Sequence, residues 1–516
     1  MKQDVKQILH NNSGMKKTLI FDGMVVGVAS GTVAVAYRYF LTLMEKLCSH
    51  MYSVPLTPQY LLFLVIILGA FGVIVGYLVK FAPLSSGSGI PQVEGELMGI
   101  FNMDEKKTLL AKFIGGSLAA CGGLSLGREG PSIQLGAAMG KITAKFLRRD
   151  INEERYIISA GASAGLSAAF SAPISGTIFI LEEVYKNFSP LVVLPAIIAG
   201  VIADFISKNI FGMRPSFSFS VQDPLMLIDY GHLIALGVFV GVVGVFFNNT
   251  LLFTQTLYKK LKIKNEFKPV IAFMFSVFFA YTFPYVLGGG HSVVENLVQN
   301  RVSITVLVLI MVLNTVFTSI CYGSTAQGGI FLPTLVIGAV TGGVYYNIAK
   351  YMDFLTADDY FVNFIILAMS GMLSSVVRAP VLSIMLVVEM TGSFEHVLSL
   401  SVVAIVSYLV AETLRCAPIY ESLLERMLEN QDLIAEDYLD EKVIYNYLVN
   451  HDSKIVDKKL KDIKLPNRAL VVSIKRMNSE ILPNGETVIK SGDDLTVLTD
   501  NRYLKSISDF LNAKVE

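Results

Sequence analysis

Charged side chains are scarce in this sequence. Asp, Glu, Lys and Arg together make up 16% of the 516 residues, whereas 53% of the residues are hydrophobic. A soluble globular domain carries about a quarter charged residues, so this balance excludes an ordinary soluble protein and indicates a protein embedded in a lipid bilayer. The formal net charge is zero, so we expect no nucleic-acid partner.

Cysteines are few as well. Four cysteines lie far apart and form no C-x-x-C pair, which argues against a disulfide framework or a zinc site; they are Cys48, Cys121, Cys321 and Cys416. We expect no metal and no cofactor. The N-terminal segment, residues 1–20, has no clear signal-peptide cleavage site and carries lysines ahead of a long apolar run. We interpret this segment as a cytoplasmic end.

Long uncharged stretches are abundant. A helix needs about 20 apolar residues to cross the hydrocarbon core of a bilayer, and stretches of about that length or more recur at Gln59–Val79, Asn187–Ala203, Tyr230–Tyr258, Pro269–Val294, Val302–Ala349 and Tyr360–Val377. Val302–Ala349 is too long for one span, and glycines interrupt it at 323, 328 and 329. A second glycine cluster lies between Cys121 and Pro131. Such breaks must be buried in protein or face a cavity, and broken helices are typical of transporters.

The chain changes character after about residue 428. Residues 429–441 are acidic and polar, which suggests a linker, and residues 442–516 alternate charged residues with short β-like runs. We predict strands at Ala469–Ile474 and Leu495–Leu498, turns at 483–485 and 491–494, and a final helix at Tyr503–Leu511. The prediction is an all-α multi-pass membrane part, residues 21–428, followed by a small α+β domain. Basic clusters at 148–149 and 259–268 indicate cytoplasmic loops, and we expect both termini in the cytoplasm.

An internal repeat divides the membrane part into two halves. Pro131–Ala137 resembles Pro333–Ala339, and Ala172-Pro173 with a following glutamate resembles Ala379-Pro380 with a following glutamate. The offsets are 333 − 131 = 202 and 379 − 172 = 207. Chance likeness among small apolar residues is the alternative. Repeated halves place a substrate site near the midplane, between the N-termini of broken helices.

Three glycine-led motifs stand at predicted helix starts in the membrane part: Gly87–Pro91, Gly127–Pro131 and Gly328–Pro333. Glycine allows the backbone to approach a ligand, and proline suits a first helical turn. Free N–H groups at helix N-termini attract anions, and Ser88 adds a hydroxyl donor without a fixed charge. The motifs therefore predict an anion site, with plain helix breaking as the alternative.

Glu129 is the main functional candidate. A carboxylate within apolar sequence is costly, so an intramembrane acid is a functional candidate by default. Among amides that bind an anion, its carboxylate can occupy the position of the anion until protonation releases it, which is a physical basis for exchange. The alternative is a structural salt bridge with Arg128.

Two further positions are candidates. Glu182 and Glu183 end an apolar run; Glu389 matches Glu182 in the repeat, which favours a structural Glu182 and leaves Glu183 as the proton relay. Surface carboxylates at a helix end are the alternative. Tyr420 opens the last amphipathic helix and could direct its hydroxyl inward, although a core tyrosine is the commoner interpretation.

One motif suggests an enzyme. Gly161–Gly165 fits the G-x-S-x-G pattern of serine hydrolases, which needs a strand-to-helix turn and a partnered histidine. The motif lies in a run of small residues, where small side chains allow close helix packing. We predict that the chain is not an enzyme.

The three glycine-led motifs resemble those of the CLC family of chloride channels and transporters. The likeness to this family extends over about residues 22–427. The resemblance implies a homodimer of inverted-repeat subunits in the cell membrane. It also implies that Ser88 and Tyr420 offer hydroxyls to the central anion and that Ile330 and Phe331 offer backbone amides, with Gly130 in the second motif. Glu129 matches the gating glutamate, and Glu183 matches the internal proton-transfer glutamate of the exchangers.

The C-terminal tail, about residues 440–511, is similar to the TrkA-C domain of potassium-conductance regulators. This resemblance implies dimerisation and a small regulatory ligand that the sequence does not name. We predict a proton-coupled chloride antiporter whose substrates are chloride and protons. A passive chloride channel on the same scaffold is the runner-up, and a ligand-gated sensor acting through the tail is the third hypothesis.

Overall fold

The computed structural model describes residues 2–186, 188–213, 217, 225–299, 302–352, 360–429, 442–449, 453–463, 465, 469–476, 479–500, 503, 507 and 510–511. The predicted linker lies almost wholly outside these residues, as does most of the predicted helix at Tyr503–Leu511. The chain forms two compact units, Met1–Leu424 and Glu425–Glu516.

Helices dominate the first unit. The first eight are α1 (Lys2–Ser53), α2 (Pro58–Phe81), α3 (Ile90–Met98), α4 (Glu105–Cys121), α5 (Glu129–Phe146), α6 (Ile151–Phe170), α7 (Pro173–Phe179) and α8 (Pro190–Phe211). The next eight are α9 (Tyr230–Lys260), α10 (Lys268–Thr282), α11 (His291–Gln299), α12 (Ile304–Gly323), α13 (Phe331–Tyr351), α14 (Phe361–Val377), α15 (Pro380–Thr391) and α16 (Val397–Thr413). The last is α17 (Ile419–Glu429).

Within the described ranges, six helical segments are long and apolar enough to cross a membrane: Lys17–Ser53, Pro58–Phe81, Pro190–Phe211, Leu227–Lys260, Ile304–Gly323 and Phe331–Tyr351. The long stretch Val302–Ala349 is broken into α12 and α13 as predicted, and Pro269–Val294 is broken into α10 and α11. Helix α1 already begins at Lys2, within the segment interpreted from sequence as a separate cytoplasmic end.

The predicted two halves are visible in the helix packing. Helix α5 packs on α6 as α13 packs on α14, α1 packs on α8 as α9 packs on α16, and α6 packs on α8 as α14 packs on α16. The loops before α5 and α13 also meet: the Gly127 amide donates to the Gly329 carbonyl at 2.6 Å, and the Gly329 amide donates to the Gly127 carbonyl at 2.7 Å. The offset between these glycines is again 329 − 127 = 202.

Each half supplies a glutamate that caps a helix of the other half. The Glu182 carboxylate accepts the first free amides of α15, from Val381 at 3.0 Å and Leu382 at 2.6 Å. The Glu389 carboxylate accepts the first free amides of α7, from Ile174 at 3.1 Å and Ser175 at 2.7 Å. A helix N-terminus leaves such amides without intrahelical partners and carries partial positive charge. Glu182 therefore has the structural role that the repeat predicted.

Small residues bring α5 and α6 into close contact. A Cβ atom added to Gly165 would lie 2.1 Å from the Ser132 carbonyl oxygen, and one added to Gly161 would lie 2.3 Å from the Gly136 carbonyl oxygen. Ser163 lies on the same helix and donates to the Ala196 carbonyl at 3.1 Å. The G-x-S-x-G pattern is thus a packing motif within a helix, and it lacks the strand-to-helix turn of a nucleophile elbow.

The second unit contains an antiparallel sheet in the order β1–β4–β2–β3. Its strands are β1 (Lys442–Leu448), β2 (Leu470–Arg476), β3 (Ser479–Ile481) and β4 (Asp494–Asp500). The two predicted strands are β2 and β4, whereas β1 and β3 were missed. Buried side chains on β1, β2 and β4 form the core together with residues of the connecting segments.

A buried carboxylate fixes the turn before β4. Asp493 accepts two hydrogen bonds from the Arg476 guanidinium, at 2.7 and 2.8 Å, and one from the Lys490 amide at 2.8 Å. Burial raises the pKa of Asp493, but these hydrogen bonds outweigh it and hold the pKa below its ordinary value.

Candidate ion-binding site

Three helix N-termini meet inside the first unit. Helices α3, α5 and α13 begin at the three glycine-led motifs, as predicted, and their first residues are buried. A Cβ atom on Gly130 would lie 2.8 Å from the Ser88 carbonyl oxygen, and one on Gly329 would lie 3.1 Å from the Gly130 amide nitrogen. The starts of α3, α5 and α13 are therefore in direct contact, and a side chain at either glycine would separate them.

Hydroxyl and amide donors lie around this junction. Ser88, Ile330, Phe331 and Tyr420 are all buried. The Tyr420 hydroxyl has no hydrogen-bond partner among the described residues, and its titratable neighbours are Tyr322, Glu183 and Glu129. A buried tyrosine hydroxyl normally finds a partner, so Tyr420 is free to donate to a small anion.

Glu129 is fully buried at the first position of α5. Its carboxylate lies beside the backbone amides of Glu129 and Leu332, but within the described residues neither oxygen makes a hydrogen bond of regular geometry. The Arg128 Nε atom lies 3.8 Å from Glu129 Oε1, which is beyond hydrogen-bond reach. The two side chains therefore form an ion pair without a hydrogen bond, and the alternative interpretation, a structural salt bridge with Arg128, stays open beside the functional one.

A cavity of about 840 Å³ reaches Gly127 and Arg128 in the loop before α5. Its ionisable lining comes from the C-terminal part of α1, from α11 and from the α5 loop: Glu45, Lys46, His291, Glu295 and Arg128. This cavity could not be predicted from the sequence, because its lining residues come from three distant segments.

A second ionisable cluster surrounds Glu183, which is 4% exposed. Its charged neighbours include Glu94, Lys186 and Glu421. Lys186 contacts the Glu421 carboxylate directly, and its Nζ atom lies 3.7 Å from Glu94 Oε1. Interpretation as a surface carboxylate is therefore wrong for Glu183. Glu94 on α3, Glu421 on α17 and Lys186, which follows the helical turn Ile180–Val184, were not predicted from the sequence.

Lys112 is another residue that the sequence analysis missed. It is fully buried on α4 and donates to the Ser85 carbonyl at 2.9 Å and to the Gly87 carbonyl at 2.8 Å. These two bonds fix the loop that presents Ser88. The ammonium group is thus engaged by backbone oxygens, while the hydroxyl and amide donors at the junction are uncharged.

Comparisons with known proteins agree with this architecture. A family model described as "Voltage gated chloride channel" matches residues 71–412, and a "TrkA-C domain" model matches residues 444–512. The H(+)/Cl(-) exchange transporter ClcA of Vibrio cholerae is 32% identical over 432 residues, which cover 81% of this chain and 92% of that protein. The transporter of the same name from Salmonella paratyphi A is 31% identical over 425 residues, which cover 80% of this chain and 89% of that protein.

A solved structure described as a slow cyanobacterial Cl-/H+ antiporter superposes with a TM-score of 0.76 at 30% identity. The superposition covers 80% of this chain and 99% of that one. The chain is therefore a multi-pass membrane protein of the voltage gated chloride channel family, with the inverted-repeat helical fold of that family and a TrkA-C domain after it.

Proposed function

We propose that this protein exchanges chloride for protons across the cell membrane. The anion binds where α3, α5 and α13 begin, because three helix N-termini supply partial positive charge there. Ser88 and Tyr420 donate hydroxyl hydrogens, and Gly130, Ile330 and Phe331 donate backbone amides. Neutral donors bind a halide strongly enough to select it and weakly enough to release it.

The observation that carries this proposal is the state of Glu129. A buried carboxylate without hydrogen bonds is costly, and this one lies at a helix N-terminus within a cluster of anion donors. The ionised carboxylate occupies the position that chloride would take. Protonation removes its charge, the side chain leaves the donors, and chloride enters. Chloride and the proton on Glu129 thereby alternate.

Glu183 passes protons between Glu129 and the side of the membrane that holds the basic loops. Its burial and its cluster of charged neighbours support this role. Lys186 marks the point where protons enter the cluster around Glu183, because its ammonium group lies among carboxylates and is partly exposed. The names of the relatives, which are H(+)/Cl(-) exchange transporters at 31–32% identity, also support exchange.

The same proposal includes orientation and assembly. Arg149 belongs to the basic cluster at 148–149 that indicates a cytoplasmic loop. It forms an ion pair at 2.9 Å with Asp22, near the start of the apolar part of α1. This contact supports a cytoplasmic N-terminus. We assign transport to residues 21–428, a linker to 429–441 and a cytoplasmic regulatory domain with a small ligand to 442–516. We assign the protein a homodimeric assembly, which chemical cross-linking in membranes tests.

The experiment that tests the exchange is proton uptake by sealed liposomes that contain the full chain. An outward chloride gradient is the only driving force, and an external pH electrode follows the protons. Uphill proton uptake is the expected result. Chloride efflux without proton movement would contradict exchange and favour the passive channel. In voltage-clamped bilayers, the reversal potential should shift with pH. A reversal potential that follows the chloride Nernst potential alone would also contradict exchange and favour the passive channel.

A further inference from the structure

Tyr322 is a buried tyrosine whose hydroxyl faces Ser88. It lies at the C-terminal end of α12, and its hydroxyl oxygen is 3.5 Å from Ser88 Oγ. The same oxygen would lie 3.2 Å from a Cβ atom on Gly87. The glycine at 87 therefore makes room for this hydroxyl beside the anion donors. Tyr322 lies outside the motifs that predicted the site from sequence.

The hydrogen bonds of Ser88 limit where its own hydrogen can point. A serine hydroxyl has one hydrogen and two lone pairs. The Ile90 amide donates to Ser88 Oγ at 3.3 Å, and the Tyr322 hydroxyl is placed to donate to the same oxygen. Both lone pairs then have donors. The single hydrogen of Ser88 must point away from them, and a donor that itself accepts hydrogen bonds is a stronger donor.

We propose that Tyr322 is a positioning residue for the transported anion, acting through Ser88. This inference rests on the proposed function, in which Ser88 donates to chloride. The tyrosine hydroxyl holds the Ser88 oxygen as an acceptor and so keeps the Ser88 hydrogen directed at the anion. The 3.5 Å separation is long for a bond between hydroxyls, and it shortens when chloride draws the Ser88 hydrogen forward.

The test is a double-mutant cycle on chloride binding. Four full-length forms are purified in detergent: the parent, Tyr322→Phe, Ser88→Ala and the double variant. Isothermal titration calorimetry with chloride gives the affinity of each. Tyr322→Phe keeps the ring and removes only the hydroxyl, so it should weaken binding roughly three- to tenfold, as expected for one hydrogen bond. Ser88→Ala should weaken binding at least as much, and the double variant should match Ser88→Ala.

Tyr258→Phe is the matched control. Tyr258 is also buried, packs on Gly323 next to Tyr322, and has a hydroxyl without a hydrogen-bond partner among the described residues. Its loss should leave chloride affinity unchanged. If Tyr322→Phe does not fold, Tyr322→Leu removes the same donor with different packing and replaces it in the cycle.

A second measurement separates positioning from packing. The ratio of chloride to nitrate transport should fall in Tyr322→Phe toward the ratio measured in Ser88→Ala. In Ser88→Ala the Ser88 hydroxyl is absent, and in Tyr322→Phe its hydrogen is no longer directed at the anion. A merely structural role would slow both anions equally and leave the ratio at the parent value.

The outcomes separate this inference from the proposed function. If Ser88→Ala weakens binding and Tyr322→Phe does not, the role of Tyr322 is wrong while the anion site stands. An equal loss from Tyr322→Phe in both backgrounds would show that it does not act through Ser88 and would also overturn the inference. Unchanged binding in Ser88→Ala would overturn the assignment of Ser88 and this inference together.

Discussion

Removing the cross-half cap of α7 should destabilise the membrane unit measurably. The Glu389 carboxylate accepts from the amides of Ile174 and Ser175 and from the Ser175 hydroxyl, the last at 2.5 Å. A hydrogen bond to a charged group contributes about 1.5–3 kcal/mol, and the helix N-terminus adds to this. Because the three bonds share one carboxylate and are not additive, we expect Glu389→Ala to cost roughly 3–5 kcal/mol.

The matching variant at the other cap should cost less. Glu182 accepts only two amide bonds, so Glu182→Ala should cost roughly 2–4 kcal/mol. Exposed Glu395, six residues beyond Glu389, provides the control Glu395→Ala, which should change nothing. Replacing Glu389 with glutamine keeps one acceptor oxygen and loses the charge, so its effect should lie between those of the parent and Glu389→Ala.

Thermal unfolding in detergent with a thiol-reactive fluorogenic dye measures these effects. Cys121 and Cys321 are buried and unpaired, so they react only when the unit opens. A loss of 3–5 kcal/mol in a unit of about 420 residues lowers the apparent midpoint by roughly 3–6 °C, because the unfolding entropy is about 2.1 cal/mol/K per residue. If Glu389→Ala unfolds at the same temperature as Glu395→Ala, the cross-half caps contribute nothing and the reasoning is refuted.

Four other outcomes are expected. Glu129→Gln should abolish proton uptake in the liposome assay and retain chloride flux, because glutamine cannot exchange a proton; continued uphill proton movement would refute the gating role. Glu183→Gln should separate the two fluxes in the same way, and unchanged proton transport would remove it from the pathway. Asp493→Asn should increase hydrogen exchange of the tail sheet at neutral pH. The pKa of Asp493 in the folded chain lies below its unfolded value of about 3.9. The bond to Arg476 therefore stabilises the sheet above about pH 4, and this contribution is lost as the pH falls through the folded-state pKa. Equal exchange rates in variant and parent at neutral pH would contradict this prediction. Ending the chain at Glu441 should leave exchange intact and alter its control, whereas total loss of flux would favour the sensor hypothesis.

Local sequence patterns predicted the backbone features of the candidate site well. The starts of α3, α5 and α13 follow from glycine and proline, whose conformational preferences act within a few residues. The repeat offset of 202 correctly paired the loops that meet at Gly127 and Gly329. The structural role of Glu182 also followed from the repeat, since Glu389 occupies the equivalent position.

Features that depend on distant segments could not be predicted. Lys112 lies on a helix whose other charges make it resemble a surface element, and only the fold shows that its ammonium group reaches the Gly87 carbonyl. The contact between Lys186 and Glu421 joins residues 235 positions apart. Helices α4 and α6 were not predicted as elements of the membrane part, because α4 carries several charges and α6 is built largely from small residues. Both pack closely against neighbouring helices, which small residues allow and which sequence rules for long apolar runs do not detect.

The paired hydrogen bonds between Gly127 and Gly329 limit how this protein can work. They join the loops before α5 and α13, so a motion that separated the two halves at this point would have to break both bonds. In the exchange proposed above, only the Glu129 side chain and the transported ions need to move here. The proposed cycle therefore requires no separation of the two halves at these loops.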